Sequence, residues 1–90
     1  MRVALMTRDK PGALQIRLDT REAHLAYIKE TGVVEMAGPF LDEAGQMCGS
    51  MIVLDVADLA AARAWAESDP YNKAGLFSDV RIQEWKTVIG

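Results

Sequence analysis

The amino-acid sequence predicts an α+β fold, in which a four-stranded antiparallel sheet carries two helices on one of its faces. Short apolar β-type runs and helical segments follow one another in the order β-α-β-β-α-β. Both helical segments begin with acidic residues suited to capping, and the longest β-type run is apolar on both sides. A chain of 90 residues has room for one core, so residues 1–90 are predicted to form a single domain.

The first strand and helix are marked by an apolar run and a capping pattern. The run RVALMT predicts a strand, which the turn residues Arg8–Gly12 end. The segment GALQIRL fits either a loop or a first helical turn. Asp19, with Glu22 three residues later, imitates a capping box and predicts the helix start, and Gly32 is suited to end the helix.

The second and third strands determine what the sheet must contact. The run VVEMA predicts a strand that Gly38 and Pro39 end, and DEAG predicts a hairpin-like turn. The third strand, QMCGSMIVLDV, is apolar on both faces, whereas a sheet with one face in water should alternate with polar residues. We therefore predict a homodimer packed sheet to sheet, because a second copy is the simplest cover. A monomer with exposed alanines and methionines is the alternative.

The second helix and last strand complete the order. Asp58 predicts the N-cap of the helix LAAARAWAES, and Asp69 before Pro70 predicts the cap of a short turn that follows it. The run SDVRIQEWKTVIG predicts the closing strand. Its alternation changes phase at Trp85, which predicts a β-bulge near Glu84. With two helices and four strands, the order is that of the ferredoxin-like fold.

Composition excludes several classes of function. The net charge is −3, and basic residues such as Arg63 and Lys29 are dispersed among acids, so no nucleic-acid partner is expected. Cys48 is the only cysteine and His24 the only histidine, so neither a disulfide nor a metal site is expected. The first apolar run is too short for a signal peptide or a membrane span, so no membrane association and a cytoplasmic location are expected.

His24 and Asp69 are the candidates for chemistry, although each also has a structural explanation. His24 shares a helix face with Tyr27 and Ile28, so it could fill a half-buried position and hydrogen-bond a backbone carbonyl. Asp69 could serve only as a helix cap. From the residues alone, the sequence predicts an α+β domain and no particular activity.

The chain resembles the YCII-related (YciI-like) domain family in four segments that occur in order. They are REAHL in the first helix, AGPF at the end of the second strand, GS within the third, and AWAESDPY with AG after the second helix. The resemblance covers nearly the whole chain, and the AHL and WAxxDPY motifs are its most specific parts. It implies a ferredoxin-like fold that dimerises into an α+β barrel-type assembly, with His24 and Asp69 as an active-site pair.

That resemblance implies small-molecule chemistry, since one branch of the family is similar to enzymes that remove chloride from chlorinated hydroxyhydroquinones. An imidazole exchanges protons near neutral pH, and a carboxylate bound to one ring nitrogen fixes its tautomer. We therefore predict general acid/base catalysis by His24 and Asp69, in the elimination or isomerisation of a small phenolic, enolic or lactone-like substrate. No cofactor is implied. The alternative is a non-catalytic domain for ligand binding or dimer assembly.

Further residues are candidates for binding the substrate. Gly38, followed by Pro39 in the AGPF segment, and Gly49 lack side chains, so a ligand or another backbone can approach closely. Tyr71 offers a hydroxyl group, although an aromatic ring after a helix can also act as a packing lid. The resemblance places Ser50 beside the active site, whereas Cys48 is expected to be a small core residue.

Overall fold

A computed structural model describes residues 1–90 and contains one four-stranded antiparallel sheet, with the helices on one face. The strands are β1 (Arg2–Asp9), β2 (Val34–Leu41), β3 (Met47–Asp55) and β4 (Phe77–Glu84). The helices are α1 (Leu14–Thr31), α2 (Leu59–Ser68) and the short α3 (Pro70–Lys73). The strand order β2-β3-β1-β4 and the chain order βαββαβ confirm the predicted ferredoxin-like fold. No helix has the length and apolar character that crossing a membrane requires.

The hydrophobic core lies between the sheet and the helices. Leu5 of β1 pairs with Ile52 of β3 and with Ile82 of β4, and this row of side chains points toward the helices. The buried members of the main cluster come from β1, β3 and α2: Val3, Leu5, Ile52, Leu54, Ala62, Trp65 and Ala66. The apolar stripe predicted for the second helix therefore packs on the sheet.

The other side of the sheet, which we call the open face, is mostly apolar over β1, β2 and β3. Alternation from the core row places these residues on it: Ala4, Met6, Met36, Phe40, Met51 and Val53. Arg8 of β1 also lies on it, with its Cζ atom 5.3 Å from the ring centroid of Phe40. Met36 is 62% exposed. On β4 the same face carries the polar residues Asp79, Arg81 and Gln83. The third strand is thus apolar on both sides, as its sequence predicts.

The first helix begins earlier than the capping pattern predicts. α1 starts at Leu14, and Asp19 lies within it rather than at its N-cap. The Asp19 carboxylate accepts a hydrogen bond from Gln15 Nε2 at 2.7 Å, a pairing of residues four apart that is favourable inside a helix. At the other end, Gly32 adopts φ 66° and its amide donates to the carbonyl of Ile28, so the predicted C-terminus is confirmed.

The boundaries of the strands also differ from the predicted ones. β2 continues through Gly38 and Pro39 to Leu41, because it is an edge strand and a proline there need not donate to a neighbouring strand. β1 continues to Asp9, beyond its predicted end. The predicted bulge near Glu84 is wrong, since β4 ends at that residue and Trp85 follows it.

The predicted turn and the predicted N-cap of α2 are confirmed by local hydrogen bonds. Asp42 Oδ1 accepts from the amides of Ala44 and Gln46 at 2.9 Å each, which closes the turn between β2 and β3. Asp58 Oδ1 accepts from the amide of Ala61 at 2.8 Å and caps α2. The turn and the cap could be predicted from the sequence because each depends on only a few neighbouring residues.

Gly49 lies where β3 runs close to β1. A Cβ atom added there would collide with the carbonyl oxygen of Thr7 and lie 3.3 Å from Cδ2 of Phe40. By contrast, a Cβ atom added at Gly38 would meet no atom within 4 Å. The packing of the strands therefore requires the absence of a side chain at Gly49 but not at Gly38.

Gly49→Ala should lower the free energy of unfolding by about 1–3 kcal/mol, because the added methyl group forces β1 and β3 apart. Urea unfolding at a fixed protein concentration measures the change. Gly38→Ala is the matched control and should change stability by less than about 0.5 kcal/mol. Equal stabilities for the two variants would contradict this account of Gly49.

Candidate active site

The fold brings His24 of α1 together with Asp69, which precedes α3. The distance between His24 Nδ1 and Asp69 Oδ1 is 2.7 Å, and the two residues are 6% and 1% exposed. A carboxylate can only accept, so Nδ1 carries the shared proton and Nε2 is the unprotonated nitrogen of the neutral ring. Nε2 makes no hydrogen bond within the chain. The ring is therefore fixed in one tautomer with its basic nitrogen unoccupied.

Asp69 is at once a helix cap and the partner of the imidazole. Its Oδ1 atom also accepts from the amide of Tyr71 at 3.0 Å, and Pro70 occupies the first turn of α3. Its Oδ2 atom is buried with no hydrogen-bond partner. A buried carboxylate with one oxygen unpaired is costly, and a positive charge on the adjacent imidazole would offset part of that cost.

Tyr71 contacts both His24 and Arg17. Its ring stacks on the imidazole with 3.9 Å between centroids and 16° between planes, and Arg17 Cζ lies 4.9 Å from the ring centroid. Burial raises the pKa of Tyr71 above its usual value, although the Arg17 charge opposes the shift. The Tyr71 hydroxyl therefore keeps its proton at neutral pH and can act as a hydrogen-bond donor.

Arg17 is a buried cation held by a carboxylate and a hydroxyl group. Its Nε and Nη2 atoms donate to Asp9 at 2.7 and 3.0 Å, and Nη2 also donates to Ser50 Oγ at 2.9 Å. Burial acts to lower the pKa of Arg17, but the hydrogen bond and charge of Asp9 outweigh it and hold that pKa above its usual value. Arg17 therefore contributes a permanent positive charge.

These side chains line a cavity of about 180 Å³ between α1 and the part of the sheet formed by β2 and β3. Its polar lining consists of Arg17, Arg21, His24, Ser50 and Tyr71. Its apolar and backbone walls are formed by Leu25, Ile28, Ala37, Gly38, Pro39, Met47 and Ile52. The cavity thus combines an apolar wall with a small number of converging polar groups, which is the usual composition of a small-molecule site.

Most of the predicted binding residues lie in this cavity. Gly38, Pro39, Ser50 and Tyr71 line it together with His24. Gly49 lies outside the lining and instead permits the close approach of β1. The thiol of Cys48, which is also outside the lining, donates to the carbonyl of Phe40 at 3.5 Å.

Sequence reasoning missed Arg17, Arg21 and Asp9 as site residues. Arg17 and Arg21 precede His24 by seven and three residues, a spacing that places all three near one face of a helix. That signal was hidden because the helix was predicted to begin at Asp19, which excluded Arg17. Asp9 was assigned to a turn, and its pairing with Arg17 depends on the tertiary fold.

Comparison with known proteins places the chain in a family. The YCII-related domain family matches residues 1–86. Protein YciI of Escherichia coli O6:H1 is 34% identical over an alignment of 97 residues, which covers 98% of this chain and 99% of that protein. An uncharacterized protein of Haemophilus influenzae is 36% identical over 98 residues, with the same shares covered.

Among solved structures, the chain is similar to 5-chloro-2-hydroxyhydroquinone dehydrochlorinase (TftG) from Burkholderia phenoliruptrix AC1100, in complex with 2,5-dihydroxybenzoquinone. The TM-score is 0.86 and the identity 32%, over 96% of this chain and 94% of that one. An antibiotic biosynthesis monooxygenase, with a TM-score of 0.61 and 14% identity over 98% of each chain, is similar in fold alone. From the family match and the identity to its relatives, the chain belongs to the YCII-related domain family.

Proposed function

We propose that this protein is a small-molecule enzyme in which His24, positioned by Asp69, transfers a proton during elimination or isomerisation. The observation that carries the proposal is the 2.7 Å contact between the two side chains, with the second ring nitrogen left free in a cavity. The substrate class is a small phenolic, enolic or lactone-like compound. The similarity to a dehydrochlorinase at 32% identity supports elimination as the reaction.

In the proposed reaction His24 acts first as a general base. Nε2 accepts a proton from an O–H or an acidic C–H bond of the substrate, and the released electron pair moves into the conjugated system. In an elimination the leaving group departs with its bonding pair. In an isomerisation the imidazolium returns the proton to a different atom. Asp69 stabilises the imidazolium in both cases, and such catalysis contributes on the order of 10²–10⁴-fold.

The dimensions of the cavity are consistent with a substrate of one ring. Its volume is about 180 Å³, and a dry cavity of about 150 Å³ is known to hold benzene. Ile28 and Ile52 offer apolar contact to a ring, and the hydroxyl groups of Ser50 and Tyr71 offer hydrogen bonds to its substituents.

We also propose that two copies of the chain pack through their open faces. Met36 is 62% exposed there, and Met6, Phe40 and Met51 are half-buried, whereas Ala4 and Val53 are already buried within one chain. A contiguous apolar patch on a sheet is favourable to cover, and a closed twofold arrangement covers both copies at once. The polar residues of β4 would then form the edge of the interface.

His24→Gln should lower turnover by about 10²–10⁴-fold, because glutamine cannot accept the proton. Chloride release from 5-chloro-2-hydroxyhydroquinone is the first assay, followed by a panel of small aromatic acids and lactones. Arg63→Gln, a substitution at an exposed position of α2, is the control for effects of protein preparation and folding on turnover. If the folded His24→Gln variant matched the wild type in every activity and in ligand binding, the domain would be a non-catalytic ligand-binding or assembly module.

Nitrogen-15 NMR should show the imidazole of His24 in the Nδ1–H form, because the Asp69 carboxylate accepts from that nitrogen. His24 is the only histidine, so its ring signals need no separation from others. Asp69→Asn should alter these signals and lower turnover by about 10²–10⁴-fold, because asparagine can donate to Nδ1 and so favours the tautomer in which Nε2 is protonated. Asp58→Asn changes the equivalent cap of α2 and should alter neither. Ring signals unchanged by Asp69→Asn would contradict the proposed role of Asp69.

Met51→Glu should shift the sedimentation of the protein from dimer to monomer, because it places a charge in the middle of the apolar open face. Leu18→Glu, which changes an exposed leucine of α1, should leave the association state as in the wild type. Circular dichroism checks that both variants fold. A wild-type protein that sediments as a monomer at micromolar concentration would contradict the proposed dimer.

A further inference from the structure

The inward face of α1 carries positive charge toward the cavity. Arg17 and Arg21 lie seven and three residues before His24, and all three side chains line the same space. The chain as a whole has a net charge of −3, so this local concentration of cations is not a consequence of composition. It is a property of one helix face and of the cavity beside it.

The carboxylates near the cavity are turned away from it. No aspartate or glutamate belongs to the lining. Asp9 is engaged by Arg17 and Asp69 by His24, so each acid lies behind a group that donates hydrogen bonds. A ligand in the cavity therefore meets the donors of the two arginines and of Ser50, and the neutral Nε2 acceptor of His24, before it meets any negative charge.

Two polar side chains of the cavity lining can donate further hydrogen bonds. Arg21 is exposed and forms no ion pair with a carboxylate. Ser50 Oγ accepts from Arg17 Nη2, and the Ser50 hydroxyl donates to no atom of the chain. Its hydroxyl proton is therefore available to a ligand acceptor, and the adjacent Arg17 charge makes that oxygen a stronger donor.

We propose that the substrate of this cavity is a small anion, whose ionised oxygen is bound by Arg21 and by the Ser50 hydroxyl. The acidic group is a carboxylate, an enolate or an acidic phenolate that is already ionised at neutral pH. Its reacting atom lies at Nε2 of His24. This inference rests on the proposed function for the role of His24, and it adds the charge of the substrate and the residue that selects it.

Arg21 has the features of a specificity-determining residue. Arg17 is buried and bound to Asp9, so its position is fixed by the protein with or without a ligand. The guanidinium group of Arg21 is free to form a paired hydrogen bond with a carboxylate or an enolate. Discrimination between an anion and its neutral analogue should therefore depend mostly on Arg21.

The test uses two probes of nearly the same shape, 2,5-dihydroxybenzoate and 2,5-dihydroxybenzamide, which differ in charge and in one carboxylate oxygen that the amide replaces with an NH2 donor. Their dissociation constants are measured by amide NMR titration, with the Ser50 amide as a reporter within the cavity. The wild type should bind the benzoate at least about tenfold more tightly than the benzamide, a difference of about 1.4 kcal/mol. The preference should weaken as the salt concentration rises.

Arg21→Gln should reduce the preference for the benzoate to within about threefold, because it removes the unpaired guanidinium charge. The fold should be unchanged, since the side chain is exposed. Arg63→Gln carries the same change of net charge at an exposed position outside this cavity and should keep the full preference. Equal affinities in the wild type, a preference that survives Arg21→Gln, or no binding of either probe would each overturn the inference.

The inference and the proposed function can fail separately. An Arg21-dependent preference in a protein that turns nothing over would support the anion site and count against the enzyme. Turnover that depends on His24 but proceeds equally well for neutral and acidic substrates would overturn the anion site and leave the proposed enzyme standing. His24→Gln should lower turnover by about 10²–10⁴-fold while the benzoate preference remains.

Discussion

The site depends on one carboxylate oxygen, Asp69 Oδ1, which joins parts of the chain that are 45 residues apart. This atom accepts from the imidazole of His24 and from the amide of Tyr71, so it fixes both the ring and the start of α3. Because α3 begins immediately after Asp69, the ring of Tyr71 is placed where it stacks on the imidazole. The cap is therefore also the element that aligns the site, and the structural and functional explanations of Asp69 are compatible.

The surroundings of the cavity are arranged in two electrostatic layers. The inner layer consists of the guanidinium of Arg17, the hydroxyl of Ser50 and the imidazole of His24, whose Nε2 is an acceptor. The outer layer holds the carboxylates of Asp9 and Asp69. Each acid lowers the cost of burying the donor in front of it, as buried charges require partners. The cavity can thus present cationic and polar groups to a ligand within a chain that is acidic overall.

Sequence reasoning succeeded where the structure is determined by neighbouring residues. Asp58, Asp69 before Pro70 and Gly32 were recognised as helix boundaries because a cap involves only adjacent positions. The start of α1 was missed because its N-cap residue, Ala13, supplies no side-chain hydrogen bond, so no local signal marks it. Pro39 was taken as the end of a strand because the edge position of β2, which permits it, is a tertiary property. The meeting of His24 with Asp69 came from a family resemblance, since periodicity alone does not place them together.

The third strand links the cavity to the open face. Successive side chains of β3 point to opposite sides, so Ser50 and Ile52 line the cavity while Met51 and Val53 lie on the open face. Ser50 is tied through its amide to Thr7 Oγ1 and through its hydroxyl to Arg17, which leaves it little freedom within one chain. In the proposed dimer the reverse side of the same strand is covered as well. Packing of a second copy would then restrict the strand that positions Ser50, and association would support the geometry of the site without contributing a residue to it.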